Sequence, residues 1–463
     1  MKTLGPRSVG VGWRSELAAD LLAHSEAVDF VEVVAESCFV DDKRLREVEA
    51  LTALWPVVPH GVKLSLAGAD AIEPDRVRRL ASLVRRLRAP LVSEHVAFVR
   101  ANGLEIGHLT APPRTRAAVR AVARNVATLR RALPSHVPLL LENAATTVRW
   151  HEDEMSPGAF AAAIAMATGC GLLLDISNLC ADAWNAGLDP ADLLADYPWD
   201  RVGMVHVAGG RWTEAPSRFY LDSHADPVTP DIFGVVRAFL AEAGPRPLLL
   251  ERDGAFPRFV ALLEELGVLR ALVGDAPHCA TTASSAHDVA ELGTSSPAEV
   301  SELATLQARL VSALLAEPAA AAHVASFAAE EIAFARGILL RKRVEEALGL
   351  LPNLSRQLTE AKCLALGMSG WRQGRRGGRF GAAVDAIRLA EIVIRSEEPT
   401  DLLKEAARRD LVVLTTSFSW RAGRAKPRWF PARRRFRDEQ GRPMWAIKGL
   451  GRHAPVRIGS KPW

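Results

Sequence analysis

The sequence predicts an α/β protein: a (β/α)8 TIM barrel followed by a smaller, mainly helical second domain. Three observations predict it. First, a leucine run stops at a carboxylate three times, at Glu142, Asp175 and Glu251. An uninterrupted apolar run of strand length suits a parallel strand buried on both faces. Second, strand-like and helix-like segments alternate over the first 270 or so residues, and eight such units fill a barrel of about 250 residues. Third, the composition changes after Leu272 to small polar residues and then to amphipathic helix.

Taken in order, the expected strands are residues 28–34, 57–64, 91–98, 137–142, 171–175, 202–207, 220–224 and 247–251. All but the seventh are rich in Val, Ile or Leu. Residues 74–88 and 115–132 carry Leu and Val at helical spacing, with Arg on the other face. Residues 274–296, rich in Ser, Thr and Gly, read as a linker between a catalytic domain, 1–273, and a basic domain, 297–463. There, Leu303, Leu306, Leu310 and Leu314 form one helical stripe ending before Pro318, and an Ala-rich stretch continues as helix to Leu348. The Arg- and Gly-rich segment 367–381 reads as a mobile loop, 385–394 and 401–409 as short helices, and 411–414 as a strand.

At 463 residues, 49% hydrophobic and 24% charged, the chain can bury a sizeable core. The five cysteines, Cys38, Cys170, Cys180, Cys279 and Cys363, lack CxxC spacing, so no disulfide framework or thiolate zinc site is expected. No signal peptide or apolar run of about 18 residues is evident, and a cytoplasmic location without membrane association is expected. From Arg421 onward thirteen Lys or Arg face only Asp438 and Glu439, a net +11, so the rest of this +4 chain carries −7. A basic tail on an acidic body suggests an acidic partner, either peptide or nucleic acid.

Histidines also end strand-like segments: His60, His95 and His206. Asp222 and His224 share one face of an extended piece. Each alone is most simply a cap or a loop residue. Together with Glu142, Asp175 and Glu251 they would load a partly desolvated barrel mouth with charge that cations must neutralise. Carboxylates and imidazoles without thiolate suit iron, manganese or zinc.

The segments His60–Leu66, Ser93-Glu94-His95, Leu140–Asn143, Gly171–Asn178 and Asp222-Ser223-His224 resemble the signatures of the multinuclear non-haem iron-dependent oxidative enzymes (MNIO), the family that includes methanobactin synthase. The resemblance covers roughly residues 8–270. It implies two or three irons at the barrel mouth and dioxygen as co-substrate. His60, His95 and Glu142 would hold one ion. Glu142, Asp175, His206 and Glu251, the catalytic set, would hold the next, with Glu142 bridging; Asn178, Asp222 and His224 would hold a third. The substrate implied is a Cys, Asp or Asn residue of a ribosomally made precursor peptide. Residues 297–463 are expected to recognise its acidic leader, and nucleic acid is the less favoured partner. The alternatives are a zinc- or manganese-dependent hydrolase or isomerase on the same barrel, or a nucleic-acid-binding protein. Glu36-Ser37 and Gly107-His108-Leu109-Thr110 depart from the family pattern, which leaves the choice of peptide open. His108 is a candidate pocket or loop residue, and Glu32, Glu36 and Asn143 are candidate supports for the ligands.

Overall fold

A computed structural model of the chain describes residues 4–39, 42–214, 218–277, 297–315, 327–357, 381–396, 399–421, 424–427, 432–437, 443–448 and 456–459. Eight parallel strands close into a barrel: Val9–Gly12, Phe30–Val34, Val57–Gly61, Val92–His95, Leu139–Glu142, Gly171–Asp175, Val202–Val207 and Leu248–Leu250. Each neighbours the next, and the last pairs with the first. Helices such as Pro74–Leu87, Arg116–Arg130, Pro157–Thr168 and Pro230–Ala243 return the chain along the outside.

The period of two in a strand explains the leucine runs. Their middle residues, Leu140, Leu173 and Leu249, point into the barrel, where they pack with Phe30, Val58, Leu91 and Met204 as one apolar layer. Their outer residues, among them Leu139, Leu141, Leu172 and Leu174, face the helices in a second, larger core. Two residues beyond each inward apolar residue the strand again faces inward, now at its C-terminal end. Those positions are Glu32, His60, Ser93, Glu142, Asp175, His206 and Glu251, all buried. The barrel floor is thus oil and its mouth is charge.

Two expectations about the barrel are corrected. The missing strand is Val9–Gly12, and residues 220–224 are not part of the barrel. They lie in Phe219–Asp226, which pairs antiparallel with Gly209–Thr213 as a hairpin following the seventh barrel strand. The first strand is inconspicuous because its inward residues are glycines. A Cβ on Gly10 would come within 2.6 Å of the Phe30 ring, so the small residue makes room for the large one next door.

The remainder falls into a second unit made of residues 102–108, 309–325 and 332–463. Among its described elements, helices Ala329–Leu348, Gly381–Arg395 and Asp401–Ser417 pack around Val344, Ala347, Leu351, Leu389, Ala390, Val393 and Ala407. The expected strand at 411–414 is instead part of the helix Asp401–Ser417. Leu403, Ala406, Ala407, Asp410 and Leu414 form its buried stripe at helical spacing, and that burial overrides the β-branched Val412-Val413 pair. Asp410 accepts from the backbone amides of Asn353 and Leu354, capping the short helix Pro352–Ser355. Among the described residues, five strands from Phe418 to Gly459 form a two-stranded and a three-stranded antiparallel sheet, which sequence reading did not anticipate. The loop expected at 367–381 lies outside the described residues except for Gly381, which begins a helix. Among the described residues no helix is long and apolar enough to cross a membrane.

Candidate metal centre

Register brings the charged residues side by side. His95 lies opposite Glu142, Asp175 opposite His206, and His60 opposite Ser93 on adjacent strands. Glu142 is the hub. Its Oε2 lies 3.4 Å from His60 Nε2 and 3.3 Å from His95 Nε2, while Oε1 lies 3.1 Å from His206 Nδ1. His206 Nδ1 is also 3.3 Å from Glu251 Oε2. Two groups of ligand atoms converge here, His60–His95–Glu142 and Glu142–Asp175–His206–Glu251, and within each group the atoms lie within 4.8 Å of one another. Both contain Glu142, whose two oxygens face opposite ways.

The rings are oriented from behind. His60 Nδ1 meets Ser93 Oγ at 2.8 Å, His95 Nδ1 meets the Gly61 carbonyl at 3.2 Å, and His206 Nε2 meets Glu32 Oε2 at 3.1 Å. Each contact leaves the other ring nitrogen directed into the mouth, as outer partners of metal-binding histidines do. Asp175 caps helix Ile176–Ala186 by accepting from the Asn178 amide, and Asn143 holds the Asp175 backbone at both its amide and its carbonyl.

The third expected set is arranged differently. Asp222 Oδ2 lies 2.6 Å from His224 Nε2, which is 3.9 Å from Asp175 Oδ2. The Asn178 amide group donates to the Asn143 carbonyl. On its other side His224 Nδ1 lies 3.3 Å from Glu251 Oε2 and 4.0 Å from Asp253 Oδ2. Asp253 and its partner Arg14 escaped the sequence reading. The signal for Asp253 was its spacing, two residues beyond Glu251 in an extended segment. His108 lies against Lys342 Nζ at 3.0 Å.

The donor set fits cations. Glu142 Oε2, Asp175 Oδ2, His206 Nδ1 and Asp222 Oδ1 are buried and lack an aligned hydrogen-bond partner, a costly state for bare charged groups. Protons alone give an uneasy balance. Burial opposes charge on His206 and His224, yet the surrounding carboxylates outweigh it and raise both well above the usual histidine range. Burial likewise works against the Glu142 carboxylate, but the three imidazoles bring it down to about 2. Asp175 is pushed well up by burial and by Asp222, and Glu94 by burial and by Glu36. Divalent ions would replace this arrangement of shared protons with direct neutralisation.

Comparison with known proteins places the barrel. A family profile described as "RiPP precursor modification enzyme MbnB/TglH/ChrH" matches residues 8–273. A UPF0276 protein of Streptomyces avermitilis is 39% identical over 281 residues, which are 58% of this chain and 56% of that protein, so the match spans little more than half of the relative. UPF0276 proteins of Acaryochloris marina and Caulobacter vibrioides are 32% and 37% identical, over 56% and 53% of this chain and 92% and 86% of their own lengths. Solved structures matched by this chain include an endonuclease IV from Thermus thermophilus, at 17% identity and a TM-score of 0.40 over 58% of this chain and 100% of that one. Another is the E. coli 3-keto-D-glucoside 4-epimerase, at 17% and 0.39 over 57% and 99%.

Proposed function

This chain belongs to the family of RiPP precursor modification enzymes MbnB/TglH/ChrH, and on that premise we propose that it oxidises a Cys, or an Asp or Asn, of a ribosomally made precursor peptide with iron and dioxygen. The observation that carries this reading is the two-faced Glu142, shared between two convergent groups of buried donors. His60, His95 and Glu142 would hold one ion, and Glu142, Asp175, His206 and Glu251 its neighbour; Asn178, Asp222 and His224 flank Asp175 as candidates for a further one. Iron there would supply redox capacity toward dioxygen and Lewis acidity toward the substrate's donor atom.

The chain's own residues do the rest. Glu32, Ser93 and the Gly61 carbonyl hold the three imidazoles in their ligating orientation. The apolar floor of Phe30, Leu140, Leu173, Met204 and Leu249 closes the barrel below and excludes water from that side. Residues 297–463, with their excess of arginine, are proposed to engage the acidic part of the peptide.

The test is anaerobic purification with metal analysis, followed by mass spectrometry of a co-expressed candidate peptide with and without dioxygen. Iron at two or more per chain and an oxygen-dependent mass change are expected. Zinc or manganese supporting full activity, with no oxygen requirement, would favour a hydrolase or isomerase instead. In Glu142→Ala, folded protein that retains its full metal complement would overturn the assignment.

A further inference from the structure

At the outer edge of the mouth a third set of donors converges, His224, Glu251 and Asp253, again within 4.8 Å of one another. A fixed positive charge is built against two of its three members, Glu251 and Asp253. Arg14, just past the end of the first strand, donates from Nε to Asp253 Oδ1 at 3.1 Å; its Nη2 bonds the same oxygen and lies 3.6 Å from Glu251 Oε1. The guanidinium is braced from behind by Nη1 donating to the Trp13 carbonyl at 3.0 Å. A Cβ on Gly12 would come within 3.3 Å of Nη1, so the glycine leaves the head its room.

The division of oxygens matters. Arg14 takes Oε1 of Glu251 and Oδ1 of Asp253, which leaves Oε2 and Oδ2 turned toward His224 Nδ1. His224 is itself held in place, with a left-handed backbone (φ 51°), its carbonyl accepting from the Asp253 amide at 2.6 Å. Its Nε2 is engaged by Asp222. A divalent ion at Nδ1 would have to share both carboxylates with a guanidinium that does not deprotonate, and two like charges so close in a partly desolvated mouth repel strongly.

Resting on the metal-centre reading above, we propose that Arg14 is a resident cation: its charge closes the His224–Glu251–Asp253 group to metal and limits the number of ions the mouth holds. It is a positioning residue. By occupying Oε1 it also turns Glu251 Oε2 toward His206 and the inner group.

The test loads the full-length chain with Mn2+ under dialysis, counts ions per chain by elemental analysis and locates them by anomalous diffraction. Arg14→Gln is expected to bind one more Mn2+ per chain than wild type, with an anomalous peak beside His224 Nδ1. Arg14→Lys keeps the charge and should retain the wild-type count. Arg14→Gln with Asp253→Asn removes the vacated carboxylate and should return to it. Equal counts in wild type and a folded Arg14→Gln would overturn the proposal. So would a peak beside His224 Nδ1 in wild type, an arm that holds even where Arg14→Gln fails to fold. A wild-type chain that binds no Mn2+ at the inner groups would instead sink the metal-centre reading itself.

Discussion

Glu32 is a buried residue proposed to act through a ligand, His206, and not as one itself. Its carboxylate meets His206 Nε2, so Nδ1 is the nitrogen left for the mouth. Glu32→Gln is expected to lower metal affinity by roughly 10–100-fold, the usual effect of losing such an outer partner, as read by chelator competition. A second prediction lies away from the centre. Burial lifts the Asp182 carboxyl from 3.8 to about 6, against the hydrogen bonds it accepts from the Thr146 amide and hydroxyl. A carboxyl whose folded pKa is raised favours the folded state below its unfolded pKa, and that contribution is lost as pH rises through the folded value. Asp182→Asn, which can keep both contacts to Thr146, should therefore become increasingly stabilising relative to wild type from about pH 4 to pH 7, by on the order of 1–3 kcal/mol. Thermal melts of both proteins across that range check it, and a pH-independent difference would contradict it. Residue identity was legible in the sequence for Glu142, Asp175 and Glu251, since each ends an obvious apolar run. Arg14 was not, because nothing local marks an arginine after a short glycine-bearing strand as a partner for residues some 240 positions away.

Whole strands and helices were read with unequal success, and packing explains why. Barrel strands with bulky inward residues announce themselves. Val9–Gly12 does not, since Gly10 yields its interior space to Phe30. Gly10→Val should overpack this point and destabilise the barrel by about 1–3 kcal/mol, seen as a lowered Tm with metal-free protein. Helix Pro297–Leu315 offers another test. Gln307, buried on its apolar side, accepts from the Ala69 amide at 2.9 Å and donates to the Ala67 carbonyl at 2.7 Å. Gln307→Leu would strand two buried backbone groups at a cost of about 1–3 kcal/mol each, measurable by denaturant unfolding. The hairpin strand Phe219–Asp226 was mistaken for a barrel strand because a strand's alternation does not reveal its partner.

Charge is unevenly distributed over the molecule as a whole. The basic excess from Arg421 onward falls on the segment containing the small antiparallel strands, of which Ala432–Arg437 carries four arginines in six residues. Under the proposed recognition of an acidic leader, changing Arg433, Arg434, Arg435 and Arg437 to Gln should weaken binding of an acidic peptide by the full-length chain and flatten its salt dependence. Metal content should stay at the wild-type value. Peptide binding that is unchanged in strength and in salt response would refute this role for the segment; fluorescence anisotropy at two ionic strengths distinguishes the outcomes.

The barrel class, most of its strands and the residue types of the mouth were determined by the sequence alone, because burial on both faces and strand alternation are written in nearest and next-nearest neighbours. Only the tertiary structure decided that Val9–Gly12 completes the ring and that Arg14 faces Glu251 and Asp253. Those are matters of closure and register: they join residues far apart along the chain, and no local pattern of hydrophobicity encodes the distance between two side chains that meet across a barrel.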